Sequence, residues 1–254
     1  MRCHGYKRNG NRCKIAWNLN GLGYCTHHER QGLPSCQGFY LSGDGERSTN
    51  IAKQNYDFCC AAHDPALPYI APSIMDPIDF YLRPRVESDV VARYDGKDIY
   101  NRESVEWNTP VELDHILEKQ CFTYAMTQMG LRRGDDDFAT AVDMLRDSCV
   151  NELDNLAFTR RSTNRIKGEG VWKYLDDSLT GHLGKKNFTS YLQDATWRSE
   201  SLTRDVTRRI CRSMGRSTRR AQRKLSDEGE TPVLEQLSEQ LQQLYVDMEL
   251  NVRR

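Results

Sequence analysis

The feature that most constrains this chain is the crowding of cysteine and histidine at its start. Six of its nine cysteines lie within the first 60 of 254 residues. The count is odd and the N-terminus lacks the apolar stretch of a secretory signal, so a secreted disulfide framework is not expected. Clustered cysteine mixed with histidine predicts metal binding instead, in an intracellular protein of the nucleus or the cytoplasm.

The first candidate metal site ends in a Cys-x2-His pair, with its other ligands supplied by Gly-containing polar loops. Zinc takes four such ligands in a tetrahedron, and closing one would fold a segment that has little apolar core. His27 is an alternative to the neighbouring histidine. The predicted ligands are Cys3, Cys13, Cys25 and His28.

A second Cys-x2-His pair, formed by Cys60 and His63, predicts a weaker second copy of this site. Adjacent cysteines rarely both bind one ion, so this ligand set is the less secure of the two. Both ions would be structural, and residues 1–64 are interpreted as zinc-binding modules. The ligands considered for the second ion are Cys36, Cys59, Cys60 and His63.

The rest of the chain divides by composition into three regions. Residues 65–110 carry six of the eight prolines and predict extended chain with short strands; a strand pair is expected over 90–94 and 98–100, joined at Asp95-Gly96. Residues 111–198 carry the candidate chemistry, and residues 199–254 predict helices. The mean hydropathy is −0.75 and there is no run of 18 apolar residues, so no membrane span is expected.

Helical spacing of apolar residues predicts two helices within the third region. The first runs from about Leu117 and stops at Gly130. Three carboxylates, Asp135-Asp136-Asp137, precede the second; they are interpreted as a helix N-terminus rather than a metal site, because negative charge is favoured there. The scattered Cys121, Cys149 and Cys211 are predicted to be small buried hydrophobes.

Three pieces in a fixed order then suggest a family. They are Asp114-His115-Ile116 at the end of a predicted strand, Asn155-Leu156 opening a second strand, and Asn164-x-x-Lys167 entering a helix. Together they resemble the HNH, or ββα-metal, nucleases over roughly 55 residues. The sequence departs from compact members of that family by the long stretch between His115 and Asn155, interpreted as two inserted helices.

The resemblance implies a role for each of these residues. A divalent ion, Mg²⁺ or Mn²⁺, would lie between Asp114 and Asn164, and both of these offer oxygen ligands. His115 would take a proton from water as general base, and Asn155 would brace the loop that orients it. Phosphate would be held by Lys167 and Arg160, with Arg161 an additional candidate.

An arginine array marks the start of the last region. Residues 198–224 hold ten basic residues against two acids, and such a run needs an anionic partner to offset its repulsion. The tail from 225 is acidic, and its leucines repeat at helical spacing. It predicts an amphipathic helix that docks on the body or on a second subunit as a homodimer. The arginines predicted to contact nucleic acid are Arg204, Arg208, Arg212 and Arg216, together with Arg160.

The sequence thus predicts an α+β protein: zinc modules, a ββα-metal core with a helical insertion, and a basic helical C-terminal extension. The predicted function is metal-dependent endonucleolytic cleavage of nucleic acid, with DNA favoured over RNA. The alternative is a zinc-containing protein that binds DNA or RNA without cleaving it. An adaptor for protein interactions is a third class, but it leaves the arginine array unexplained.

Overall fold

A computed structural model describes residues 2–40, 45–78, 82–105, 110–227 and 231–250. The chain separates into two compact units, Met1–Leu67 and Pro68–Arg254. No helix in these described ranges is long and apolar enough to cross a membrane.

The N-terminal unit is built from turns and isolated β-bridges. Its regular structure, within the described residues, is limited to two short 3₁₀ turns, Glu29–Gly32 and Ala61–His63. Its principal buried cluster is formed by three cysteines, with Ile15, Leu19 and Tyr24 packed against them. With so little apolar area to bury, the hydrophobic effect alone gives this unit little stability.

The C-terminal unit is largely helical around one two-stranded sheet, so the mixed α+β class is confirmed at that level. Strands β1 (Val111–His115) and β2 (Leu156–Arg160) pair antiparallel, from Val111 opposite Arg160 to His115 opposite Leu156. The helices are α1 (Leu82–Arg93), α2 (Lys119–Gln128), α3 (Asp136–Met144), α4 (Arg161–Leu179), α5 (Phe188–Asp194), α6 (Arg204–Asp227) and α7 (Pro232–Asp247). Shorter turns are 3₁₀ at Pro72–Met75 and Leu153–Asn155, and a π-helical segment spans Leu145–Val150.

The elements around β1 and β2 lie where the sequence predicted them. The two inserted helices are α2 and α3; Gly130 follows α2 with φ +74°, and Asp135 is the N-cap residue of α3. Cys121, Cys149 and Cys211 are buried, as predicted.

The strand pair predicted over residues 90–100 is wrong. Helix α1 includes Val90, which is fully buried and packs with Leu82 in a cluster that contains Leu156 and Phe158 of β2. Asp95-Gly96 is a turn, but it ends this helix: both residues have positive φ, and the Gly96 N–H donates to Val91 O. Burial of a helical face against the sheet overrides the β propensity of valine.

Helix α7 is the amphipathic helix predicted for the acidic tail, for which docking on the body or on a second subunit was expected. Helix α7 packs against α6 and α2 of the same chain. Gly215 of α6 lies against the chain just after α7. A Cβ at this position would come within 2.4 Å of Leu250 O, so the close approach requires glycine. The apolar face of α7 is buried against the body of the same chain, and the homodimer stays a prediction. The buried residues of this face are Leu234, Leu237, Leu241, Leu244 and Met248.

Candidate functional site

The four predicted ligands of the first zinc site converge. Their ligand atoms all lie within 4.8 Å of one another. The Sγ atoms of Cys13 and Cys25 are 3.9 Å apart, and Cys25 Sγ lies 3.2 Å from His28 Nδ1. A tetrahedron with Zn–S bonds of about 2.3 Å has edges of about 3.8 Å, so this set could hold a zinc ion. We call residues 3–28 module 1.

The thiolate form of Cys3 is favoured before any metal binds. Burial opposes ionisation, but the backbone N–H groups of Cys25 and Gly5 both donate to Cys3 Sγ at 3.3 Å. These donors, together with the neighbouring thiols of Cys25 and Cys13, outweigh the burial and lower the pKa of the Cys3 thiol to about 6. Zinc binds the thiolate, so this backbone geometry prepares a ligand.

A second group, which we call module 2 (residues 36–63), brings together three of the four ligands considered. Cys36 Sγ and Cys59 Sγ each lie 3.3 Å from His63 Nδ1. The prediction that Cys60 is also a ligand is not supported. Its Sγ is 4.0 Å from that of Cys59, but it is not part of the group whose ligand atoms all lie within 4.8 Å of one another. Cys60 Sγ therefore lies more than 4.8 Å from at least one of the other two ligand atoms, so it does not complete the group.

Asp114, at the end of β1, is enclosed in a buried polar cluster. It is 1% exposed, and the Nζ atom of the fully buried Lys167 lies 2.7 and 2.9 Å from its carboxylate oxygens. The Tyr100 hydroxyl donates to it at 2.7 Å. Lys167 also reaches His115 O at 2.7 Å and Glu118 Oε1 at 3.0 Å. The assignment of Lys167 to substrate phosphate is therefore wrong, since its ammonium is used inside the protein.

Asn164 faces a different carboxylate. Its amide donates to Glu112 Oε2 at 3.0 Å, and Glu112 also pairs with Arg161 and Arg165. Glu112 and Asp114 are two residues apart on β1 and share one face of the strand, while Asn164 and Lys167 lie one turn apart on α4, so each strand carboxylate meets its own helix partner.

The predicted magnesium site between Asp114 and Asn164 does not fit this arrangement. The Lys167 ammonium already supplies the positive charge next to Asp114, and the Asn164 side chain is bonded to Glu112. Among the described residues, the groups of His, Cys, Asp and Glu that converge closely enough for a metal are the two Cys/His sets. A catalytic divalent ion at these residues is accordingly unsupported.

His115 is half-buried, and its tautomer is fixed by Asn151. The Asn151 amide nitrogen donates to Met75 O at 3.1 Å and to Arg146 O at 2.9 Å, which leaves its oxygen facing His115 Nε2 at 3.0 Å. Nε2 therefore carries the proton and Nδ1 keeps its lone pair. Burial lowers the pKa of His115 to about 4, so the ring is neutral at physiological pH.

Asn155 braces the loop that follows His115. Its Oδ1 accepts from Leu117 N at 2.8 Å, while its Nδ2 donates to Leu117 O at 3.1 Å and Val150 O at 3.0 Å. Its backbone oxygen accepts from Ile116 N at 2.7 Å. These contacts are the ones expected of a residue that holds β1, β2 and the inserted helices in register.

The arginines predicted to bind nucleic acid differ in their surroundings, although the four on α6 recur every four residues and so lie along one side of the helix. Arg160 pairs with Glu103 at the end of β2. Arg204 is exposed, and Arg208 is exposed and lies near Asp205, at the start of α6. Arg212 and Arg216 lie further along the helix and form a group with Arg102 and Arg220, whose charges act on Arg216.

That group, which we call the arginine cluster, consists of Arg102, Arg212, Arg216 and Arg220. Burial and the positive charges of the other three lower the pKa of Arg216. Arg216 donates to Ser213 Oγ and Arg220 to Asp154 O, while Arg212 Nε is buried without a hydrogen-bond partner. In the part of the chain that the structure describes, no carboxylate forms an ion pair with these four, so their charge lacks an internal counterion.

Sequence reasoning missed several residues of these sites. Tyr100 contacts Asp114, Glu112 contacts Asn164, and Asn151 contacts His115. No local spacing in the sequence predicts these contacts. Arg220 was visible in the arginine array, but Arg102 comes from a distant turn where its φ is +66°.

Comparisons with protein-family models, with curated proteins and with solved structures gave no significant match. The likeness to HNH nucleases therefore rests on the residues of this chain between Glu112 and Lys167.

Proposed function

We propose that this chain cleaves phosphodiester bonds in nucleic acid, with His115 as the general base. The observation that supports this best is the spatial arrangement of the three motif pieces. β1 ends in Asp114-His115, β2 opens after Asn155, and α4 follows with its Asn164 side chain against β1. A scaffold alone would not need a half-buried histidine whose tautomer is fixed by a separate amide.

The chemistry assigned to His115 is the removal of a proton from water. With Nε2 held by Asn151, the Nδ1 lone pair is the basic site, and the neutral ring is ready to accept a proton at pH 7. A pKa of about 4 makes it a weak base, which limits the rate unless a nearby anion, such as substrate phosphate, raises that pKa. No step of the proposed cleavage is assigned to a divalent ion, and the assay therefore measures whether the cleavage rate depends on one.

The arginine cluster is the proposed contact for the phosphate backbone. Arg102, Arg212 and Arg220 lie close enough to Arg216 for their charges to lower its pKa, and an anion of high charge density would relieve that repulsion. Nucleic acid supplies regularly spaced phosphates, and DNA is the favoured form.

Cleavage is tested with the full, zinc-loaded chain on plasmid, single-stranded DNA and RNA, with and without added Mg²⁺ or Mn²⁺. Chelators are avoided because they would strip the Cys/His sites. Wild-type protein should cleave, and His115→Ala should lower the rate by about 10²–10⁴. His182→Ala, a histidine on the turn after α4, is the matched control and should keep full activity. Full cleavage by folded His115→Ala protein would refute the assignment.

Backbone contact is tested by salt titration of binding. Each lost phosphate contact reduces the slope of log K against log salt by about one, so Arg216→Gln should weaken binding to all sequences alike. Arg133→Gln removes an exposed arginine ahead of α3 and serves as the control. Equal slopes for both variants and the wild type would remove the arginine cluster from the interface.

A second candidate function is nucleic-acid binding without cleavage. The observation that favours it is the buried Lys167–Asp114 ion pair, which occupies the carboxylate that a nuclease metal would use. Tight, salt-dependent binding with no cleavage under any metal condition would select this function over the first.

A further inference from the structure

Module 2 repeats the backbone of module 1. In each module the first cysteine is followed two residues later by glycine, whose N–H donates to that cysteine's Sγ: Gly5 to Cys3 at 3.3 Å and Gly38 to Cys36 at 3.4 Å. A Cβ on either glycine would collide with the side chain of the module's histidine. The same backbone thus packs against the same ligand twice.

The correspondence extends to the third ligand. The N–H of Cys25 donates to Cys3 Sγ at 3.3 Å, and the N–H of Cys59 donates to Cys36 Sγ at the same distance. Cys59, and not Cys60, is therefore the counterpart of Cys25 in donating to the first cysteine.

The hairpin between the first and second ligands also repeats. Antiparallel bridges join Tyr6 to Arg12 in module 1 and Phe39 to Arg47 in module 2. The residue after each arginine donates its N–H to the glycine of its own module: Cys13 to Gly5 O at 2.8 Å and Ser48 to Gly38 O at 2.9 Å.

Ser48 therefore occupies the position that Cys13 holds in module 1. Like Cys13 it is buried, at 4% exposure, and its hydroxyl accepts a hydrogen bond from Asn50 N at 3.2 Å. A serine hydroxyl is not among the ligands that zinc takes in structural sites. The fold of module 2 is kept, but one of its four ligands is missing.

We propose that module 2 holds zinc through only three protein ligands, Cys36, Cys59 and His63, with one coordination position open beside Ser48. Closed four-ligand sites are structural, whereas three-ligand sites keep a position for water or another small ligand. The first zinc is then held firmly, and the second is exchangeable through its open position. This inference is independent of whether the chain cleaves nucleic acid.

The test is zinc release from the full, reduced chain into a colorimetric chelator. Wild-type protein should carry two zinc ions and release them in two phases of equal size. Ser48→Cys supplies the fourth ligand, a third thiolate, and should slow the fast phase at least tenfold, taking the roughly 10–100-fold effect of outer-shell partners as a lower bound. In the cobalt-loaded protein, the same change should strengthen the thiolate-to-cobalt absorption.

Two further variants serve as the reciprocal change and the control for Ser48→Cys. Cys13→Ser gives module 1 the ligand set of module 2 and should move the first zinc into the fast phase. Cys60→Ser should change neither phase, because Cys60 lies outside the ligand group.

Three results would overturn the proposal. They are a single zinc per chain at saturation, no slowing by Ser48→Cys, and loss of the second zinc in Cys60→Ser. The last would make Cys60 the fourth ligand. Because Ser48→Cys and Cys60→Ser leave module 1 untouched, these outcomes can be read even if Cys13→Ser prevents module 1 from folding.

Discussion

The two units of this chain are stable for different reasons. In the N-terminal unit the principal buried cluster is made of Cys3, Cys13 and Cys25. In the C-terminal unit one large cluster of apolar side chains, with members from Ile70 to Leu250, forms the main core, and the buried Lys167 and Asp114 form an ion pair. The Cys/His sets could hold metal ions, and metal coordination would then supply the stability that a chain rich in glycine and polar residues cannot draw from a hydrophobic core.

Zinc removal should have the largest effect, and only on one unit. Structural zinc in small modules contributes roughly 10–16 kcal/mol of apparent binding free energy, which is also folding free energy. A strong chelator at neutral pH should make residues 2–67 sensitive to proteolysis, while the thermal transition of the C-terminal unit stays unchanged. Unfolding of both units together would end the distinction drawn between them.

A cavity in the apolar core should destabilise the other unit and leave the zinc content unaltered. Phe122 in α2 is fully buried, and Phe122→Ala should lower the free energy of unfolding by about 3–5 kcal/mol in chemical denaturation. Val246→Ala, an apolar residue that is 55% exposed, is the control and should stay within about 0.5 kcal/mol of wild type. A small effect of Phe122→Ala would show that this core is loosely packed.

Loss of the buried ammonium should be nearly as costly. Lys167→Met leaves the Asp114 carboxylate buried without its counter-charge, which should cost about 3–5 kcal/mol. The double variant Asp114→Asn with Lys167→Met removes both charges and should recover much of that loss. If the double variant is no more stable than the single one, the pair is not the source of the effect.

The smallest effect should be the pH dependence that comes from His115. Its pKa is about 4 in the folded protein and near 6.5 when unfolded, so only the unfolded state takes up a proton as the pH falls from about 6.5 to 4. The contribution of His115 to the stability of the C-terminal unit should fall across that window by about 2–3 kcal/mol, and this contribution should be fully present above pH 6.5. His115→Gln should remove this part of the pH profile. An identical profile in the variant would mean that His115 titrates alike in both states.

The sequence by itself predicted those parts of the protein that depend on residues close together in the chain. Cys3, Cys13, Cys25 and His28 were identifiable because zinc ligands are few in kind and spaced by turns. Helices α2 and α3 followed from apolar periodicity and from glycine and aspartate at helix ends, whereas the ends of β1 and β2 were expected only from the resemblance to HNH nucleases. Asn155 was placed beside the loop after His115 by the order of motif pieces alone.

Tertiary structure decided which side chains meet. Val90 lies in a helix because that helix buries a face against β2, and the gain from burial exceeds the β propensity of valine. Lys167 lies beside Asp114, and Asn164 beside Glu112, because the path of α4 along β1 sets those pairs. No spacing in the sequence encodes that path.

The two Cys/His modules show the same difference between what the sequence predicted and what the tertiary structure decided. The sequence alone showed Cys60-x2-His63 and suggested that Cys60 is a ligand. Only the backbone hydrogen bonds showed that Cys59 takes the place of Cys25 and Ser48 that of Cys13. A ligand set depends on where side chains point in space, and the loops that fix those directions differ in length between the modules, so alignment by spacing alone assigns the wrong residue.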